Sequence, residues 1–162
     1  MTTLRFSGWS VIIISLILAF ILMIIPLPHW AIAFRPAWVL LVVLYWVLVL
    51  PHRVGVGIAW INGLLLDILQ GTLLGENALC FGILAYLVLK LHRQIRLLSL
   101  PLQSLVIFIL LLFNQILLFW LQGLQGQFVS LQWFFGVMIT SSLFWPWIFM
   151  VLTNTLKRYR LH

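Results

Sequence analysis

PLQSLVIFILLLFNQILLFWLQ, residues 101–122, is an apolar run without one Lys, Arg, Asp or Glu. Its hydrophobic residues follow one another continuously instead of alternating, which excludes a barrel strand. A helix rises 1.5 Å per residue, so about 20 such residues cross the hydrocarbon core of a bilayer. In lipid every backbone N–H and C=O needs an internal partner, and a helix provides all of them within one segment. Pro101 suits the first turn, where its missing N–H would have had no helical partner, and Gly123 and Gly126 mark the loop that follows.

The rest of the chain repeats this pattern. Apolar runs are read at 9–25, stopping at Pro26 and Pro28; at 31–50, starting at Ala31 or Pro36 and stopping at Pro51; at 54–70, before Gly71; at 77–91; and at 131–156. Pro36 is read as a first-turn proline. Pro146 lies inside the last run, where it should kink the helix. The expected fold is an all-α polytopic membrane protein, a single transmembrane domain over residues 1–162 with six transmembrane helices. Composition agrees: 65% of the 162 residues are hydrophobic and 7% are charged, and the mean hydropathy is +1.23. A soluble domain carries about a quarter charged residues.

The first run has Arg5 before it and Ala31-Ile32-Ala33 after it, imitating a secretory signal. It is long for that purpose and is read as an uncleaved span. Six spans put Arg5, Arg53, Lys90, Arg93, Arg96, Lys157, Arg158 and Arg160 on one side and Arg35 alone on the other, accounting for all nine basic residues. Positive charge marks the cytoplasmic side, so both termini are expected there. Five spans would separate Arg5 from the C-terminal basic cluster. The net charge of +7 thus reads as membrane orientation and contact with lipid headgroups, not as a nucleic-acid face. Trp9, Trp30, Trp120 and Trp133 fall at expected interfaces, and Trp38, Trp46, Trp60, Trp145 and Trp147 lie deeper, for packing or lipid contact.

No motif of catalysis, metal binding or cofactor binding is present. His29 is expected outside; His52, His92 and His162 are expected inside. Cys80, the single cysteine, reads as a small packing residue. Two acids, Asp67 and Glu76, offer no paired-carboxylate site. The chain is not expected to be an enzyme.

The third run carries the densest information. Gly55, Ala59, Gly63, Asp67, Gly71 and Gly75 recur every four residues and form one narrow stripe. Small residues let another backbone come close, so the stripe reads as a seam, either internal or with a partner. An acid within a span costs about 2.5–3.5 kcal/mol on insertion scales. Asp67 is therefore expected near Arg35, as a candidate ion pair at the outer ends of the second and third spans; alternatively each reaches the headgroups separately. Asn114 and Gln115 read as interhelical polar contacts.

FRPAWVLLVVLYW at 34–46, PHRVGVG at 51–57, GLLLDILQGTLLG at 63–75, ALCFGILAYLV at 78–88 and WPWIF at 145–149 resemble the MreD family of bacterial rod-shape-determining membrane proteins. The resemblance singles out Arg35, Pro36, Pro51, Gly63, Asp67, Gly71 and Gly75. It implies a non-enzymatic inner-membrane subunit of the cell-wall elongation complex. Its partners would be MreC, MreB and the peptidoglycan glycosyltransferase and transpeptidase. It also implies a fold related to the substrate-binding subunits of energy-coupling-factor transporters. On this reading the Gly/Asp stripe fixes the second span to the third and shapes the surface that meets MreC. The alternative is a small-molecule or lipid-binding transport subunit, whose cavity would have to be built from Asn62, Asp67, Gln70, Asn114 and Gln115.

Overall fold

The computed structural model describes the backbone over residues 3–160 apart from 27, 33–34, 53, 72 and 127–130; side chains at 3–8, 31–32, 131–134 and 158–160 are not described either. The readings made for Arg5, Arg53, Trp133, Arg158, Arg160 and His162 lie outside the described residues.

The described elements are all helical. They are α1 (Thr3–Ile24), the four-residue α2 (His29–Ile32), α3 (Trp38–Val49), α4 (Val56–Gln70), α5 (Glu76–Leu97), α6 (Leu100–Leu124) and α7 (Leu131–Arg160). Six long helices thus correspond to the six apolar runs. Glu76–Leu97, Leu100–Leu124 and Phe135–Lys157 are long and apolar enough to cross a membrane, while Trp9–Ile24, Trp38–Val49 and Val56–Gln70 are shorter apolar helices.

The second run differs from expectation at its start. Pro36 precedes the helix instead of opening it, and Ala37 is the N-cap. A proline disfavours helical backbone in the residue before it, so Arg35 is held outside the helix. Pro101 does sit in the first turn of α6. α7 continues through Pro146 as one helix.

α3 is the centre of the bundle. Every residue from Val39 to Leu48 is buried, and α1, α4, α5 and α7 surround it. A helix apolar on all sides has no outward face and is stable only when enclosed. Two of its polar side chains are satisfied across the core: Tyr45 pairs with Thr153 of α7 at 2.8 Å, and Trp46 Nε1 donates to Ser15 of α1 at 2.8 Å. Tyr45 also packs edge-on against Trp46 and Phe149. Cys80 is buried, as expected of a packing residue.

The peripheral helices are the reverse. α6 exposes Leu102, Leu105, Ile109, Phe113, Ile116, Phe119 and Trp120 on one face, and α1 exposes Ile13, Ile14, Ile17, Leu18, Ile21 and Leu22. Such apolar area is untenable in water and natural against acyl chains. Trp9, Trp30 and Trp120 are exposed, while Trp46 and Trp145 are fully enclosed.

Candidate functional site

The site begins with the seam between α4 and α5. A Cβ placed on Gly63 would lie 2.5 Å from Ala78 Cα, 2.7 Å from Ala78 N and 2.8 Å from the Asn77 carbonyl carbon. Only glycine permits this approach of the two backbones. Ala59, one turn earlier, is fully buried. At Gly63 the seam is internal and joins α4 to α5, the third and fourth runs; α4 packs far more extensively on α5 than on α3.

Two of the remaining glycines of the stripe act through conformation. Gly71 ends α4 with φ +70°, and Gly75 stands before α5 with φ +101°. Both lie in the left-handed region that suits glycine. An added Cβ at Gly55, Gly71 or Gly75 would meet nothing within 4 Å, so none of the three provides close packing.

Asp67 completes the turn. Gly75 is the N-cap of α5 and has no side chain to receive the helix's free N–H groups. Asp67 substitutes for it from the end of α4. Its Oδ1 accepts from Asn77 N at 3.0 Å and from Asn77 Nδ2 at 2.8 Å. Its Oδ2 accepts from Gly75 N at 3.0 Å and from Ala78 N at 3.4 Å. The carboxylate is 0% exposed, compensated by these donors and by the positive end of the α5 dipole. Glu76, also buried, accepts from Gln122 Nε2 at 2.9 Å and ties α5 to the end of α6.

Arg35 is held by a different helix end. Its Nη1 donates to Met23 O at 2.6 Å, and its Nη2 donates to Ile25 O. These are carbonyls at the C-terminus of α1, where the dipole is negative. The described hydrogen bonds of Arg35 and Asp67 thus go to helix ends, and a pair between the two is not among the described contacts.

Between these groups lies a cavity of about 260 Å³, lined by Arg35 and Pro36, Gln70 of α4, Asn77 of α5, Asn114 and Gln115 of α6, and apolar residues including Leu40, Phe81 and Val137. Asn114 is 4% exposed, and its Oδ1 has no hydrogen-bond partner; the same holds for Arg35 Nε. Buried polar atoms normally find partners. The interhelical bond expected of Asn114 is not among the described contacts, and the residue borders this cavity. Asn62 donates to Ile58 O within its own helix at 2.8 Å and does not line the cavity.

Sequence reasoning did not single out Asn77, Gln122 or Ser141. Ser141 Oγ accepts from the backbone N–H of Ala37 at 3.0 Å and fixes the entry to α3. The available signal was a polar residue inside an apolar run, which needs a partner in lipid. Among the described residues no group of His, Cys, Asp and Glu is placed to hold a metal.

A family model described as rod shape-determining protein MreD matches residues 4–155. The rod shape-determining protein MreD of Haemophilus influenzae is 33% identical over 155 residues, covering 95% of each chain. No solved structure gives a significant match. With its helical bundle of apolar-faced helices, its matched span and this relative, the chain belongs to the MreD family of rod shape-determining membrane proteins.

Proposed function

We propose that the protein is a non-enzymatic subunit of the cell-wall elongation complex of the bacterial inner membrane. It supports rod shape by assembling or regulating MreC and the peptidoglycan synthases, and with them MreB. In this reading the six long helices are six spans with both termini cytoplasmic, in a fold related to the substrate-binding subunits of energy-coupling-factor transporters. The alternation of basic residues along the chain supports that orientation. The cavity beside Arg35 then faces outward and receives a segment of MreC close to the membrane.

The observation that carries this reading is the pair of unpartnered buried atoms, Asn114 Oδ1 and Arg35 Nε, on two residues that border this cavity. With a small turn of either side chain, a bound segment would offer a donor to the first and an acceptor to the second. The second reading, a transport subunit for a small molecule, draws on the same cavity. Its volume of about 260 Å³ is below the roughly 300–1,000 Å³ of ligand pockets, which favours a docked side chain.

The test is capture of tagged protein from rod-shaped cells in a bilayer-preserving polymer, followed by mass spectrometry. Wild-type protein should retain MreC and the wall synthases. Asn114→Leu fills the cavity wall with an apolar group and should reduce that recovery about tenfold, a loss of ~1.4 kcal/mol. Undiminished recovery with Asn114→Leu would remove the cavity from the interface. Recovery of an ATPase module without the synthases would support the transport reading.

A further inference from the structure

The end of the bundle opposite the Arg35 cavity holds a second polar arrangement. α3 links the two ends, with Val39 in its first turn at the first cavity and Val49, its last residue, at this one. One basin, of about 450 Å³, is bordered by His52, His92, Arg93 and Arg96. A second, of about 350 Å³, is bordered by Arg96, Lys157 and Thr153 over an apolar wall that includes Phe149 and Leu156. Both basins include Val49 and Arg96, so Arg96 stands between them.

Among the described side chains no carboxylate stands beside this charge. The chain contains two acids in all. Asp67 receives the N-terminus of α5, and Glu76 is bonded to Gln122. Glu76 and Arg96 are twenty residues apart on the same helix, roughly 30 Å, about three Debye lengths at ordinary ionic strength. The C-terminal carbonyls of α5 supply only about half a negative charge, less than the two positive charges of Arg93 and Arg96. Arg93, Arg96 and Lys157 are exposed, so an anion from outside the chain can reach all three. In a membrane-inserted bundle the anion at hand is a lipid phosphate, and the apolar wall beneath Lys157 suits an acyl chain.

We propose that these two basins bind one anionic phospholipid carrying two phosphates, a diphosphatidylglycerol, with Arg96 between the phosphates and Lys157 on the second. The site is separate from the partner cavity and requires only that the chain is membrane-inserted. On the orientation proposed above it faces the cytoplasmic leaflet.

The test is native mass spectrometry and thermal unfolding of the full-length protein. It is titrated with diphosphatidylglycerol, phosphatidylglycerol, phosphatidylcholine and inorganic pyrophosphate. Diphosphatidylglycerol should bind most tightly and phosphatidylcholine least. Arg96→Gln should weaken diphosphatidylglycerol about fivefold, equivalent to ~1 kcal/mol per basic residue near the surface. Arg96→Gln with Lys157→Gln should weaken it roughly 25-fold on the same basis, while Arg96→Lys stays near wild type. Wild-type protein with no preference for diphosphatidylglycerol over phosphatidylcholine would overturn the proposal, whatever the variants do. Equal binding of phosphatidylglycerol would overturn the two-phosphate assignment. Pyrophosphate binding as tight as the lipid would reassign the site to a soluble anion, and a co-purifying polypeptide in place of lipid would reassign it to a protein.

Discussion

Replacing Gly63 by alanine adds one methyl group at the tightest point of the bundle. The new Cβ would stand 2.5 Å from Ala78 Cα and 2.7 Å from Ala78 N. Carbon atoms in contact prefer about 3.5–4.0 Å, so α5 has to retreat by roughly 1 Å. The obstacle is backbone, and no rotamer change relieves it. A retreat of that size takes Asn77 N and Ala78 N from 3.0 and 3.4 Å to beyond hydrogen-bond range of Asp67. Overpacking costs typically 1–3 kcal/mol, and a lost bond to a charged group costs about 1.5–3 kcal/mol. The helix propensity gained on leaving glycine returns up to about 1 kcal/mol. With both bonds lost the expected net loss is at least about 3 kcal/mol. It is measured as the shift in unfolding by sodium dodecyl sulfate in mixed micelles. Gly57→Ala is the control, because a Cβ there meets nothing within 4 Å; it should be neutral or slightly stabilising. Ala78→Gly should not rescue Gly63→Ala, since the clashing atoms are backbone. A Gly63→Ala protein as stable as wild type would refute the close approach of α4 and α5.

Three further outcomes are expected. Asp67→Asn places an amide among N–H donors and should cost on the order of 2–3 kcal/mol, with faster amide exchange over Asn77 and Ala78; unchanged exchange would show that Asp67 does not cap α5. Gly75→Ala, at φ +101°, should lose roughly 1–2 kcal/mol from left-handed strain alone. Its shift should exceed that of Gly123→Ala, where no left-handed angle is required, and equal shifts would count against the assigned conformation. Tyr45→Phe removes the bond to Thr153 while keeping the ring, and should cost only about 0.6 kcal/mol; a loss above about 2 kcal/mol would mean the hydroxyl holds more than this one contact.

The two acids illustrate how far the sequence can be read. That Asp67 needs a partner was legible, because an acid in an apolar run has to be compensated. That its partners are the donors opening α5 was not, since helix-end compensation leaves no charge signature elsewhere in the chain. The stripe behaves in the same way. Its spacing identifies a special face, but only the packing separates Gly63, which admits a backbone, from Gly71 and Gly75, which adopt positive φ.

The sequence by itself determined that the chain is helical and lipid-facing, and where its long helices lie, because apolar runs and unsatisfied backbone groups have local consequences. The tertiary structure decided which helix is enclosed. α3 and α6 are both apolar runs, yet α3 is buried on all sides and α6 keeps an exposed face. It also decided that α4 meets α5, that Arg35 rests on α1, and that Asn114 borders a cavity. Lipid and protein interior are alike in polarity, so hydrophobicity cannot say which face of an apolar helix turns inward. Small residues and buried polar atoms decide that, and their partners are known only once the helices are assembled.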